Sequence, residues 1–172
     1  MGRYIFEGHT SAIISVLFSP NNSLITSGSL DGTIRIWDLL HQQNCLVLKG
    51  HTDGVSSIRF SNDGGTLYSG GYDRSLRVWD MRTRTLMKEI NLPPIAAVYE
   101  KSVVLRLSPD GKTLASGTGD GTIRLWDTRT LEQTWVRKMH KDAVTSIIFS
   151  HNGEVIISAS MDGTISIWDF PF

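Results

Sequence analysis

The run Ser69-Gly70-Gly71-Tyr72-Asp73-Arg74-Ser75-Leu76-Arg77-Val78-Trp79-Asp80 recurs three more times, at 27–38, 116–127 and 158–169. Every copy closes on Trp-Asp: Trp37-Asp38, Trp79-Asp80, Trp126-Asp127 and Trp168-Asp169. Successive tryptophans stand 42, 47 and 42 residues apart. Within each copy, a small-residue stretch gives way to an Asp-centred turn and then to a β-branched run, the pattern of two short strands joined tightly.

Further short runs surround this stretch. In the second repeat, residues 55–60 and 66–69 precede 75–79, and a less regular run, 85–90, follows. The same order holds at 13–18, 24–27 and 33–37, at 103–107, 114–116 and 122–126, and at 144–149, 155–158 and 164–168. No window carries a helical period, so the chain reads as all-β. Asp31-Gly32, Asp120-Gly121 and Asp162-Gly163 read as two-residue hairpin turns, with Asp73-Arg74 as a variant. Inner runs such as Ile147-Ile148-Phe149 and Ile156-Ile157 are apolar at consecutive positions. They require a neighbouring sheet on either side. A repeat of this length, built from short strands and closing on Trp-Asp, predicts one four-stranded propeller blade per repeat. The blades fall at about 8–49, 50–90, 97–138 and 139–172 of a single repeat domain.

Three repeats carry four polar residue types at constant offsets. His9, Ser27, Asp31 and Trp37 are separated by 18, 4 and 6 residues, and so are His51, Ser69, Asp73 and Trp79, and His140, Ser158, Asp162 and Trp168. The third repeat keeps Ser116, Asp120 and Trp126 but has Val98 in the histidine position. With Gly8-His9 and Gly50-His51 ahead of the first strands, this pattern resembles the WD-repeat β-propeller family along nearly the whole chain. The resemblance implies that His bridges Ser and Asp while the Trp indole N–H joins them. A buried carboxylate needs such donors. Ser, His and Asp are also the parts of a hydrolase triad, but three equivalent copies in successive blades read as fasteners, not as one exposed nucleophile. The histidines lie one repeat apart, which argues against a shared zinc site. No metal, cofactor or catalytic residue is expected.

Seventeen basic residues balance seventeen acidic ones, so no net field draws the chain to nucleic acid or an anionic membrane. No apolar run approaches the roughly 20 residues of a membrane span. The N-terminus lacks a signal-peptide layout, and the single cysteine, Cys45, excludes an internal disulfide framework. An intracellular setting, cytoplasmic or nuclear, is expected.

The chain is out of phase with its repeats. Residues 3–6 align with the outer-strand segment 45–48, whereas only four residues follow Trp168. Strand 3–6 is therefore expected to complete the last blade, as in the family's closure. Four such wedges in one circle would each fill about 90°, against about 45° in a ring of eight. Two chains exchanging N-terminal strands would form an eight-bladed homodimeric ring. A four-bladed ring, an excerpt of a larger propeller, or a ring completed by a different protein are the other possibilities.

In WD-repeat proteins, the turns after the second strands and the loops leading into the first strands share one face. The resemblance places Leu30, Tyr72, Gly119 and Met161 there, with Thr10, Ser11, Thr52, Asp53, Lys141 and Asp142 beside them. Leu30, Tyr72, Met161, Asp53, Lys141 and Asp142 are candidate partner contacts. The insertion 91–101, with Pro93-Pro94, reads first as the mark of a degenerate blade and otherwise as a stiff recognition loop that adds Ile95 and Tyr99. The expected function is a non-catalytic scaffold for a protein or peptide partner. A nucleic-acid- or chromatin-associated adaptor and an engineered propeller fragment are the alternatives.

Overall fold

The computed structural model describes residues 4–41, 43–93 and 102–169. These residues form fifteen strands, and among them no helix is long and apolar enough to cross a membrane. They divide into two compact units, Met1–Ile90 and Asn91–Phe172.

The first unit holds two four-stranded sheets. Strands β1 (Ile13–Phe18), β2 (Leu24–Ser29), β3 (Thr33–Asp38) and β4 (Gln43–Lys49) lie in chain order, as do β5 (Val55–Phe60), β6 (Thr66–Gly71), β7 (Ser75–Asp80) and β8 (Thr85–Asn91). The second unit repeats the arrangement with β9 (Val103–Leu107), β10 (Thr113–Thr118), β11 (Thr122–Asp127) and β12 (Gln133–Lys138). Its other sheet has three strands, β13 (Val144–Phe149), β14 (Val155–Ser160) and β15 (Ile165–Asp169), so β15 is an edge. Residues 4–6 lie in no strand.

Two local features differ from the expectation. The second strands run past the serine, because backbone pairing continues through Gly28 to Ile34 and Gly117 to Ile123. The connections that follow are three residues long in the first three sheets, not two, as in Leu30-Asp31-Gly32 between β2 and β3, and four in the fourth, where 161–164 lie between β14 and β15. Only the third residue is left-handed, at φ 77° for Gly32, 81° for Gly121 and 80° for Gly163, with Arg74 at 61°. This is a right-handed turn followed by one left-handed residue, so the preceding Asp keeps ordinary backbone geometry and its side chain turns inward.

Sheets pack face to face within each unit. Ile34, Ile36 and Leu48 of the first sheet cluster with Val55, Ile58, Phe60, Leu67 and Trp79 of the second. Ala115, Ile123 and Leu125 meet Val144, Ile147 and Ile156 in the other unit. Each such side chain contributes roughly 1.5–3 kcal/mol on burial. Glycine is required where the sheets approach most closely: a Cβ on Gly28 would lie 2.7 Å from Val55, and one on Gly117 would lie 2.5 Å from Val144.

Candidate functional site

Strand pairing brings the spaced polar residues together. In the first sheet, Trp37 Nε1 donates to Ser27 Oγ at 2.9 Å, His9 Nε2 lies 2.8 Å from the same oxygen, and His9 Nδ1 lies 2.8 Å from Asp31. The second sheet has Trp79 to Ser69 at 2.9 Å, His51 to Ser69 at 2.8 Å and His51 to Asp73 at 3.0 Å. Each serine oxygen accepts from the indole N–H, and its own O–H donates a hydrogen bond to Nε2. That order assigns the histidine proton to Nδ1, where it is donated to the carboxylate.

A fifth group stands two residues beyond each turn aspartate. Thr33, Ser75 and Thr164 donate their hydroxyls to Asp31, Asp73 and Asp162 at 2.6, 2.8 and 2.6 Å. The offset sequence pattern did not include this hydroxyl, although a Ser or Thr occupies that position in every repeat. The third sheet, where Val98 lies outside the described residues, keeps Trp126 to Ser116 at 2.9 Å. There Thr118 and Thr122 supply hydroxyls to Asp120 at 2.7 and 2.9 Å, and Arg124 Nη1 donates to Thr118 at 3.3 Å. The fourth sheet differs: His140 reaches Ser158 at 2.7 Å and Thr164 at 2.9 Å, but the buried Trp168 Nε1 has no hydrogen-bond partner among the described residues. Trp168 stands on the edge strand β15, its ring tilted against Trp135 at 4.8 Å.

These contacts set the charge state. Burial pushes the Asp31 carboxyl up, yet the Thr33 hydroxyl, the Thr10 N–H and His9 outweigh it and hold the group well below the usual range. Asp73 is lowered in the same way against its burial by His51, Ser75 and the Thr52 N–H, and Asp120 by Thr118, Thr122 and Arg124. Asp162 is lowered chiefly by Thr164 and the Lys141 N–H. The second aspartate of the first three repeats works differently. Asp80 Oδ1 accepts Arg82 N–H at 2.7 Å and Thr83 N–H at 2.8 Å, and Asp127 does the same for Arg129 and Thr130. It therefore orders the loop into the fourth strand.

The repeated His, Ser, Asp and Trp side chains are thus packed between strands and, apart from the Trp168 indole, hydrogen-bonded there. A family model, WD domain, G-beta repeat, matches residues 3–38, 42–80, 98–127 and 131–169. The chain belongs to that family. It is similar to the WD repeat-containing protein 82 of Drosophila melanogaster, 51% identical over 43 residues that cover 25% of this chain and 13% of that protein. It also resembles Protein Mut11 of Chlamydomonas reinhardtii, 49% identical over 35 residues covering 20% and 10% of the two chains. A segment 46% identical over 37 residues relates it to human WD repeat-containing protein 97, covering 22% of this chain and 2% of that one. The matched stretches are therefore about one repeat long and a small part of each relative.

In this WD-repeat chain, the same aspartates tie down the loops expected to carry partner contacts. Asp31 also accepts the Thr10 N–H at 2.9 Å, Asp73 the Thr52 N–H at 2.9 Å and Asp162 the Lys141 N–H at 2.8 Å. Leu30 N–H bonds Ala12, Tyr72 N–H bonds Gly54 and Met161 N–H bonds Ala143. Each turn and its neighbouring loop are consequently one rigid tip. In the first unit, Leu30 and Tyr72 converge on Gly54: a Cβ there would lie 2.7 Å from Leu30 Cδ2 and 3.1 Å from Tyr72 Cδ2. Leu30 is exposed, Tyr72 half-buried, and Asp53 exposed beside them with Oδ1 accepting the Gly54 N–H. In the second unit, Met161, Lys141 and Asp142 are exposed, and Asp142 accepts the Ala143 N–H. Ile95 and Tyr99 lie outside the described residues. At the opposite strand ends of the first unit, a groove of about 550 Å3 is lined by Pro20, Leu24, Phe60, Met81 and Arg82, among others. No group of three His, Cys, Asp or Glu able to hold a metal occurs among the described residues.

Proposed function

We propose that this chain is a non-catalytic scaffold that docks a protein or peptide segment on the face carrying Leu30 and Tyr72. The carrying observation is the convergence of these two side chains over a glycine, on tips otherwise made of polar loops. An apolar partner side chain would gain burial there without ordering any loop, since the clasp already holds both tips. The seventeen-to-seventeen charge balance favours a protein partner over a phosphate backbone. A lone cysteine fits an intracellular setting. Catalysis by the Ser–His–Asp sets is disfavoured because Ser27, Ser69 and Ser158 are buried, and in two of the three the hydroxyl also accepts an indole N–H.

The test compares peptides selected on the wild-type chain from a displayed random library with their binding to Leu30→Asp, Tyr72→Ala and Met161→Ala. Selected peptides should lose binding to the first two variants. Retention by both, with unchanged thermal unfolding, would reject this face.

Assembly is a second proposal. Two copies complete one ring of eight sheets by exchanging their N-terminal segments. This reading is supported by apolar side chains left exposed on the first and fourth sheets, among them Val16, Phe18, Ile165 and Ile167.

A further inference from the structure

The groove of about 550 Å3 at the far strand ends of the first unit opens onto the core of that unit. Its walls are the turn from β1 to β2, the turn from β5 to β6, and the start of the loop after β7. Phe60 belongs to the buried cluster that joins the two sheets, and Leu24 and Met81 pack against that cluster while staying partly open. An apolar side chain entering the groove therefore continues the core instead of covering an isolated patch. The volume falls within the range of about 300–1,000 Å3 usual for ligand clefts.

The repeats differ at the positions that shape this groove. The residue just before the second strand is Ser23, Gly65, Lys112 and Glu154 in turn, and the first residue of that strand is Leu24, Thr66, Thr113 and Val155. The turn itself demands none of these, because all four copies close with the same backbone bond, Gly64 N–H to Ser61 and its counterparts at Asn22, Gly111 and Gly153. Gly64 is needed there: its φ is 74°, and a Cβ on it would lie 3.3 Å from the Pro20 ring. Gly65 is not. A Cβ on it would meet only the Asp63 carboxyl group, at an ordinary 3.5 Å. The bare Gly65 thus leaves open a space that Lys112 and Glu154 fill with side chains in their own repeats, and Leu24 makes the facing wall apolar where the second unit has Thr113.

Two charges border the groove. Asp63 is already engaged, its Oδ1 accepting the Ser61 hydroxyl at 2.5 Å and the Gly65 N–H at 3.0 Å. Arg82 is not: its backbone N–H goes to Asp80, but the exposed guanidinium makes no ion pair among the described residues and reaches Asp80 only through its field. The N–H groups of Asn22, Gly64, Gly65 and Met81 are all bonded within the chain, so no cradle of free N–H groups awaits a chain-terminal carboxylate.

We propose that this groove is a second docking site, for an internal stretch of a partner protein that carries a large apolar side chain next to an aspartate or glutamate. The apolar side chain lies on Leu24, Phe60 and Met81 in the space left by Gly65. The carboxylate takes the Arg82 guanidinium, whose planar fork of donors matches it. The site is separate from the Leu30–Tyr72 face, so the first unit holds one segment at each end of its strands.

The test selects a displayed random peptide library on the 172-residue chain carrying Leu30→Asp and Tyr72→Ala, which removes the other face from the selection. Recovered peptides should share an apolar residue adjacent to Asp or Glu. Added to that chain, Gly65→Glu fills the groove with the residue type of the fourth repeat, and Arg82→Glu reverses the charge at the rim. Each should weaken binding about tenfold or more by fluorescence anisotropy, with unchanged thermal unfolding. Replacing the acidic residue of the peptide by lysine should restore binding to Arg82→Glu, a gain that loss of fold cannot produce. Selection of basic or uncharged peptides, recovery of none, or undiminished binding to Gly65→Glu overturns the proposal. A mass by light scattering that falls on Gly65→Glu assigns the groove to a second copy of the chain and overturns it as well. Because the bait lacks the Leu30–Tyr72 face, none of these outcomes bears on that face.

Discussion

Replacing Ser69 by Ala asks most directly what the clasp contributes. The Ser69 hydroxyl is fully buried, accepts the Trp79 indole N–H at 2.9 Å and contacts His51 Nε2 at 2.8 Å. Alanine fits the same space but leaves both groups without a partner. A buried polar atom so stranded costs about 1–3 kcal/mol, so the expected loss for two is roughly 2–6 kcal/mol. Ser158→Ala is the internal control. Its hydroxyl is equally buried and contacts His140 at 2.7 Å, but the Trp168 indole is already unpartnered. Only one group is stranded there, and the expected cost is about 1–3 kcal/mol. Hydrogen exchange of amides in β6 and β14 reads the two sheets separately, which matters because a chain of two units need not unfold in one step. A double-mutant cycle of Ser69→Ala with Trp79→Phe should give a coupling of about 1 kcal/mol or more. Equal costs for the two serines, or a coupling indistinguishable from zero, would refute the hydrogen-bond accounting.

Other expectations follow from the same geometry. Gly121 and Gly163 share a left-handed φ of about 80°, but a Cβ on Gly121 would lie 2.1 Å from the His140 carbonyl oxygen, whereas one on Gly163 meets nothing within 4 Å. Gly163→Ala should therefore cost only the backbone strain of about 1–2 kcal/mol, and Gly121→Ala distinctly more, by urea unfolding. Asp31, Asp73, Asp120 and Asp162 are all held below the usual carboxylate range, so the folded chain binds fewer protons than the unfolded one. Their stabilisation is complete above the unfolded pKa of about 4 and is lost as pH falls through that value towards the lower folded ones. The urea midpoint should drop below about pH 4, less steeply in Asp73→Asn; a midpoint level down to pH 2.5 would contradict this. Asp80→Ala removes the acceptor for two loop N–H groups that water can reach, so it should lower the urea midpoint slightly, and Asp80→Asn less.

Much of the architecture was written into the chain at short range. The Trp spacing, the β-branched runs and the Asp-centred turns specified sheets in chain order, because each hairpin is closed by residues adjacent in sequence. The constant offsets picked out His, Ser, Asp and Trp because strand register converts spacing into proximity. The Thr33, Ser75 and Thr164 hydroxyls were equally regular, but Ser and Thr are common in turns and the pattern alone did not mark them.

Membership of a bonded network depends on how side chains pack, and repetition could not reveal the exceptions. Trp168 has the same sequence surroundings as Trp79, yet it lies on an edge strand against Trp135 and lacks the serine bond. The loss of histidine from the third repeat was visible, whereas the role of Thr118 and Arg124 around Asp120 was not. Leu30 and Tyr72 are 42 residues apart, on different sheets, and their meeting over Gly54 depends on how closely those sheets pack. Local propensity and period thus determined the strands and their order from the sequence by itself. Which side chains meet, and which apolar faces stay open, was decided only by the tertiary structure, because sheet-on-sheet packing joins residues that no local rule connects.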